Sequence, residues 1–277
     1  TLFFSIYLLG ISSSMLDDEL QDFGQEHLQA ARVIIDLLLA EEVSRKHPLT
    51  RFIVGTFVYW DMSCAFLIKP DSCPIHDLGS DLFDFITGGM SGFSHPTYGP
   101  CTELFFVLST LGRYIRYIMA HGIRDSHFEL ELESRLLTWK CPDPHSQPMW
   151  SHTAEAFRKH GLLMLYRHCY HDAVDDLLDP GSTTDMWPAW QNSIFNINEL
   201  TRRYAIDIVI SLSNIPITSS YLALQGIPLL TARSELTAED VYFHNESKAR
   251  LLALYSCSRI PANLVAVNLL DNIWQSR

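Results

Sequence analysis

The fold class is decided by residues 104–122, which read LFFVLSTLGRYIRYIMAHG. Apolar side chains recur there every three or four residues, at Leu104, Leu108, Leu111, Ile115 and Ile118. This spacing puts them on one face of a helix. His121 followed by Gly122 is typical of a helix C-terminus. The stretch therefore predicts a long amphipathic helix that buries one side.

Helical periodicity also runs through the rest of the chain. Pro48, Pro228 and Pro261 stand where predicted helices begin, and Gly226 stands where one stops. The predicted helices lie at residues 16–38, 48–67, 104–121, 126–139, 151–178, 188–213, 217–225, 228–236, 238–259 and 261–276. We therefore predict an all-α fold, a single domain over residues 1–277 built from about ten packed helices.

Two short motifs resemble capping boxes, in which the first and fourth residues bind each other's backbone. They are Ser126-x-x-Glu129 and Thr237-x-x-Asp240. Residues 128–133 alternate apolar and acidic side chains as a strand would, but Glu and Leu favour helices. We therefore predict a helix from Ser126 to Trp139.

The composition is that of a folded protein that avoids phosphate backbones. The chain has 277 residues, of which 47% are hydrophobic, and a net charge of −12. That hydrophobic fraction is too high for a disordered chain. The negative charge disfavours nucleic acids and anionic membranes. We expect no direct nucleic-acid contact and no membrane association by this chain.

The cysteines give no sign of a metal site. They are scattered at Cys64, Cys73, Cys101, Cys141, Cys169 and Cys257, and no two have C-x-x-C spacing. The pattern predicts neither a zinc module nor a disulfide framework, and it fits a reducing compartment. We expect no cofactor in this chain.

Two apolar stretches imitate signal or membrane segments. Residues 1–11 have no initiator Met and no basic leader, so we interpret them as part of a buried helix in an N-terminally truncated chain. Residues 208–232 carry no charge but contain Pro216, Gly226 and Pro228. Buried helices joined by turns explain them better than a bilayer span.

Residues 69–100 form the longest break between predicted helices. They hold five glycines and four prolines. A long irregular segment inside a compact domain is usually functional or mobile. We therefore predict that this stretch is a mobile gate or a partner surface.

A histidine and aspartate group on the predicted 151–178 helix is the main enzyme-like feature. It comprises His160, His168, His171, Asp172, Asp175 and Asp176. The aspartates resemble the magnesium-binding clusters of all-α terpene synthases, but their order is reversed and no second motif follows. A helix C-terminus also disfavours diphosphate. We favour a solvated acidic helix end and keep a magnesium-dependent terpene-synthase-like enzyme as an alternative.

Familiar catalytic motifs are missing from the sequence. Residues 88–92 read GGMSG, which does not satisfy the G-x-S-x-G spacing of a nucleophile elbow. No Walker loop or dinucleotide-binding loop occurs either. We therefore predict no catalytic residues and no metal ligands.

Aromatic side chains on helical faces are the most numerous feature that could bind a ligand. Phe57, Trp60, Tyr114 and Tyr117 are examples on two predicted helices. Core packing is the common role of such residues. Helical bundles also keep ligands in apolar pockets between helices. We predict these four as pocket-lining, ligand-binding residues.

Six segments occur in a characteristic order along the chain. They are EHLQAA at 26–31, RFIV at 51–54 with FVYWD at 57–61, YGPCTEL at 98–104, LESRL at 132–136 with Trp139, QGIPLLTARSE at 225–235, and residues 263–274. Together they resemble the fungal-specific transcription factor domain. Ile227 replaces a tryptophan of the family signature, and Arg233-Ser234 replaces Gly-Cys.

The resemblance implies a regulatory domain of a nuclear transcription factor, with no catalytic residues. DNA binding would come from a zinc binuclear-cluster module that is absent from these residues. The domain would control transcription by binding a small hydrophobic molecule or transcriptional co-regulators, and it could form a homodimer. A pure dimerisation or co-regulator scaffold is the other alternative to ligand sensing.

Overall fold

The computed structural model describes residues 2–16, 23–69, 80–90, 92–142, 148–170 and 197–275. Regular structure in these ranges is helical, apart from one isolated bridge between His95 and Gly99. The twelve α-helices of these ranges are α1 (Leu2–Leu16), α2 (Gln25–Ala40), α3 (Glu42–Lys46), α4 (Pro48–Cys64), α5 (Ser80–Asp84), α6 (Thr102–His121), α7 (Ser126–Thr138), α8 (Pro148–Leu165), α9 (Ile197–Ser213), α10 (Gly226–Glu235), α11 (Val241–Ser258) and α12 (Pro261–Gln275). The predicted all-α class is confirmed.

Three short turns of other helical types accompany them. A π-helical turn, Phe85–Gly89, continues α5, and another, Tyr166–Tyr170, continues α8. A 3₁₀ turn, Ser220–Leu224, precedes α10. Residues 208–232 therefore contain the end of α9, the 3₁₀ turn and the first part of α10, and the chain turns between them, as predicted. In the parts of the chain that the structure describes, no helix is long and apolar enough to cross a membrane.

The contacts group the chain into two compact units. The first comprises Thr1–Ile123 and Trp139–Ser146, and it contains α1 to α6. The second comprises Arg124–Thr138 and Gln147–Arg277, and it contains α7 to α12. The assignment of all 277 residues to one domain stays a prediction.

In the first unit, α4 and α6 pack side by side and run parallel. The rings of Tyr59 and Phe105 lie 5.3 Å apart, and a Cβ on Gly112 would come within 2.8 Å of the Ala65 Cβ. Later residues of α4 contact later residues of α6, which is the order expected for parallel helices. Two parallel neighbours need a connection that returns over the length of a helix. This geometry accounts for the long segment between residues 65 and 101.

The helix predicted over residues 16–38 is wrong as one continuous element. The chain is already helical from Leu2 to Leu16, and α2 starts again at Gln25. Gly24 stands before α2 with a left-handed φ of 76°. A Cβ on Gly24 would collide with the backbone of Gly10, so the close approach of α1 to α2 requires glycine there.

The second unit is built around an apolar core that all of its later helices share. Its fully or almost fully buried members include Leu163 of α8, Ala205 and Leu212 of α9, Leu229 of α10, Leu251 of α11 and Val267 of α12. Full burial of such side chains is the main stabilising contribution to folding. The amphipathic periodicity of these helices is thus explained by one shared core.

Two of the helix ends follow the sequence signals closely. Pro48 is the first residue of α4, and the Leu49 N–H donates to His47 Nδ1 at 3.1 Å. Gly122 ends α6 in the left-handed conformation, and its N–H donates to the Ile118 carbonyl at 2.7 Å. The predicted start and stop are confirmed.

The capping box predicted at Ser126 is wrong. Asp125 caps α7 instead, because its Oδ1 accepts from the N–H groups of His127 and Phe128 at 3.0 and 3.1 Å. Glu129 is fully buried and pairs with Arg124, so it is not free to reach back to the helix start.

The second motif forms its contact in a turn rather than inside a helix. The Thr237 N–H and hydroxyl both donate to Asp240 Oδ2 at 2.9 Å. The α11 helix begins only at Val241, so the predicted start at residue 238 is too early.

Candidate functional site

A buried ion pair lies in the contact between α4 and α6. Asp61 of α4 is 4% exposed and Arg113 of α6 is 6% exposed. Arg113 Nη2 donates to Asp61 Oδ1, and the Ser109 hydroxyl donates to Asp61 Oδ2. Ser109 and Arg113 are four residues apart, so one face of α6 brings both to the same carboxylate. We call these three residues the Asp61–Arg113 centre.

Arg113 retains two donors that its neighbours do not use. Within the described residues, neither Nε nor Nη1 of Arg113 has a hydrogen-bond partner, and both atoms are buried. A buried donor without an acceptor costs about 1–3 kcal/mol, so folded proteins rarely leave one without a protein, water or ligand acceptor. In this centre the charge of Arg113 is therefore balanced by Asp61, while two of its nitrogens can still donate hydrogen bonds.

Trp60 and Cys64 flank the centre on α4. Burial, together with the nearby Asp61 carboxylate, raises the pKa of the Cys64 thiol to about 12. The thiol is therefore protonated near neutral pH and is a poor nucleophile. The Trp60 ring packs edge-on against Tyr7 at 5.4 Å and touches Gly10, so α1 covers it.

The four aromatic residues predicted to line a pocket lie at different heights along the helix pair. Phe57, Trp60 and Tyr114 are buried, and Tyr117 is half-buried. On α4, Phe57 and Trp60 precede Asp61. On α6, Tyr114 and Tyr117 follow Arg113. The structure does not gather the four into one ring. Their ligand-binding role stays a prediction.

The end of the long connection is held against α4 by an aromatic stack. The His95 ring lies 3.9 Å from the Tyr98 ring and 4.8 Å from the Phe52 ring, nearly parallel to both. His95 Nε2 is 3.2 Å from the Thr56 hydroxyl. Burial lowers the pKa of His95 to about 4, so the imidazole is neutral near pH 7.

Glycine at position 55 makes this stack possible. A Cβ there would lie 2.7 Å from the Tyr98 hydroxyl and 2.9 Å from His95 Cδ2. Residues 92–100 are thus anchored, whereas residues 70–79 and 91 of the predicted gate lie outside the described residues. The gate at 69–100 stays a prediction.

The second unit holds two buried carboxylates one turn apart on α7. Arg124 donates to Glu129 through Nε and Nη2, at 3.0 and 2.7 Å. Glu133 accepts from the hydroxyls of Tyr166 and Tyr170, at 2.6 and 3.0 Å. Burial and the Glu133 carboxylate raise the pKa of both tyrosines, so the phenols remain donors. The π-helical turn after α8 thus directs both rings to one acceptor.

A third buried cluster joins α10, α11 and α12. Arg233 donates to Asp271 and to the Val267 carbonyl, the latter at 3.2 Å. The His244 ring stacks on Trp274 with centroids 4.2 Å apart. Arg233 is one of the residues that depart from the family signature, and here it holds the last helix in place.

The histidine and aspartate group of the predicted 151–178 helix is only partly within the described residues. His160 is buried in α8, where burial lowers its pKa to about 4, and its Nδ1 lies 2.9 Å from the Thr231 hydroxyl. His168 is half-buried in the π-helical turn. The rest of the group, His171, Asp172, Asp175 and Asp176, lies outside the described residues. Among the residues that the structure does cover, no three His, Cys, Asp or Glu side chains form a group that could hold a metal ion.

The Asp61–Arg113 centre was not predicted from the sequence, because its charged partners are 52 residues apart. One signal was available. Asp61 stands four residues after Phe57 and one after Trp60, on the apolar face of its helix. A charged side chain on such a face needs a buried partner.

The fold and the centre define an all-helical domain with a buried polar site between two parallel helices. The family model of the fungal specific transcription factor domain matches residues 1–277, the whole chain. The chain belongs to this family. Membership supports a role in transcription regulation. No curated protein and no solved structure matches the chain significantly.

Proposed function

We propose that this chain is the ligand-sensing domain of a zinc-cluster transcription factor that controls transcription by RNA polymerase II. A zinc binuclear-cluster module elsewhere in the protein would bind DNA. The observation that carries the proposal is the pair of open, buried Arg113 donors in a domain of this family. Ligand sites commonly combine an apolar lining with a few convergent polar groups.

A ligand between α4 and α6 would act by changing how these helices pack. It can shift an equilibrium between two packings only if it binds one of them more tightly. Ligand binding would thereby favour the packing that recruits, or releases, transcriptional co-regulators.

The test is whether the purified domain carries a small molecule. The domain is isolated from a fungal host, and the material released by organic solvent is identified by mass spectrometry. We expect one apolar compound in stoichiometric amount, and returning the extract to the stripped domain should raise its melting temperature. Two results together would contradict ligand sensing: the purified domain releases no compound, and its melting temperature does not change when the extract is added.

A scaffold that forms homodimers is the second candidate, because α1 presents apolar side chains to solvent. Leu2, Leu8 and Leu9 are 57–65% exposed. Contiguous exposed apolar surface often marks a protein interface. Analytical ultracentrifugation distinguishes this candidate: a concentration-dependent dimer that Leu8→Ser with Leu9→Ser abolishes would support it, and a monomer at all concentrations would exclude it.

A further inference from the structure

We propose that the Asp61–Arg113 centre recognises the polar end of the ligand, and that this end is a neutral hydrogen-bond acceptor such as a ketone or ester oxygen. This inference rests on the ligand-sensing function proposed above. It adds the chemical class of the ligand and names Arg113 as the residue that donates hydrogen bonds to it.

The first step concerns the available donors. The Arg113 side chain is 94% buried, since its residue is 6% exposed, yet Nε and Nη1 meet no acceptor among the described residues. Its Nη2 is already engaged by Asp61. A molecule entering here is therefore selected for an oxygen that accepts hydrogen bonds. A pure hydrocarbon would leave both donors unsatisfied.

The second step concerns the charge. The Asp61 carboxylate already balances the Arg113 guanidinium, and the Ser109 hydroxyl occupies the other carboxylate oxygen. A ligand carboxylate or phosphate would place a second anion beside Asp61 in a buried site, which is costly without another cation. A ligand ammonium group would be repelled by the like charge of the Arg113 guanidinium. Only a neutral acceptor satisfies the donors without disturbing the pair.

The third step concerns the rest of the molecule. The Cys64 thiol on α4 is buried and lies close enough to Asp61 and Arg113 for both charges to act on its pKa. Phe57 is buried one turn before Asp61. Groups of this kind bind hydrocarbon, so the body of the ligand is apolar and only its end is polar.

A water molecule could accept from the same two donors, because buried waters commonly satisfy such groups. The experiment must therefore separate recognition of a ligand from hydration. Three probes of similar length serve this purpose: methyl decanoate, which offers a neutral carbonyl, decanoate, which is anionic, and decane, which has no acceptor. Binding to the stripped domain is measured by intrinsic tryptophan fluorescence.

We expect the wild-type domain to bind methyl decanoate about tenfold more tightly than decane or decanoate, the preference that one satisfied buried donor gives. The variant Asp61→Leu with Arg113→Met removes both charges together and should bind the ester and decane equally. Arg113→Lys keeps a cation beside Asp61 but moves its N–H donors away from the positions of Nε and Nη1, and it should also lose the preference. Arg116→Met, on the same helix, is the matched control and should keep it.

The outcomes separate the two proposals. If the wild-type domain binds the three probes equally, or if both Arg113 variants keep the ester preference, the centre does not read the ligand, although ligand sensing stands. If a high-resolution structure with methyl decanoate shows waters on Nε and Nη1, the inference also fails. If no probe binds and the isolated domain carries no molecule, the proposed function itself is wrong. Arg113→Lys provides the answer should the double variant fail to fold.

Discussion

Two arginines that are buried to almost the same degree, one in each unit, are used in different ways. Arg113 is 6% exposed and Arg250 is 5% exposed. All three nitrogens of Arg250 have acceptors at 2.7–3.2 Å: Glu246, the Ile215 and Ser213 carbonyls, and the Gln225 side chain. Arg113 uses one nitrogen on Asp61 and leaves two buried donors open.

The difference shows how one side chain can be a brace or a recognition group. Arg250 binds the end of α9 and the turn that follows it, so its guanidinium supplies the donors that those carbonyls need. Arg113 is fixed in place by one carboxylate, with capacity left over. Burial alone therefore does not distinguish Arg113 from Arg250, whereas the two unmet donors of Arg113 do.

The largest effect is expected from Arg250→Met. The variant leaves the Ser213 and Ile215 carbonyls and the Gln225 side chain without their buried donor, so we expect it to lower the free energy of unfolding by about 4 kcal/mol. Guanidinium denaturation measures the change. Arg135→Met breaks only an exposed pair with Glu131 and should cost less than about 0.5 kcal/mol. Equal losses in the two variants would show that Arg250 is not a brace.

The next effect concerns the charge of the Asp61–Arg113 centre. Asp61→Leu leaves a buried guanidinium without its counter-ion, and we expect a loss of about 3 kcal/mol. Asp61→Leu combined with Arg113→Met should recover most of that loss, because no unpaired charge remains. Urea denaturation of Asp61→Leu, Arg113→Met and the double variant tests the coupling. Additive losses would mean that the pair is not an independent buried unit.

A smaller effect is expected at the stack that anchors the long connection. Gly55→Ala pushes a methyl group against Tyr98 and His95, and overpacking of this kind costs about 1–3 kcal/mol. Gly88→Ala is the control, since a Cβ there meets nothing within 4 Å. Thermal unfolding and hydrogen exchange over residues 92–100 report the result. Unchanged exchange in Gly55→Ala would show that the stack does not hold this segment.

The smallest effect at neutral pH is that of His160, which makes the stability of the second unit depend on pH below 6.5. Burial lowers its pKa from 6.5 to about 4, so the unfolded chain takes up the proton first as the pH falls. The contribution of neutral His160 to the free energy of unfolding is therefore fully present above pH 6.5 and declines as the pH falls toward 4. His160→Leu should reduce that slope by up to about 1.4 kcal/mol per pH unit. Exposed His127→Gln is the control, and equal slopes in the two variants would contradict the assignment.

The sequence predicted what depends on local periodicity and on the ends of helices. The all-α class, the proline start at Pro48 and the glycine stop at Gly122 follow from patterns a few residues long. The break before α2 was missed because it is caused by the contact between Gly24 and Gly10. That contact joins distant turns and leaves no periodic signal.

The polar sites were missed for the same physical reason. Arg113 and Asp61 are 52 residues apart, and Arg233 and Asp271 are 38 apart. Tertiary packing brings such pairs together, and periodicity within one helix carries no information about it. The π-helical turn at Tyr166–Tyr170 was likewise missed. Its tyrosine hydroxyls donate to Glu133 on another helix, and this contact leaves no local pattern in the sequence.

The decisive measurement is the NMR spectrum of the arginine side-chain Nε–H groups, recorded on the stripped domain while methyl decanoate is added. We expect the Arg113 signal to shift and to exchange more slowly with water as the ester fills the site, while the Arg250 signal stays constant. An Arg113 signal that ignores saturating ester, in a domain whose other signals show that the ester is bound, would prove that Arg113 is a brace like Arg250.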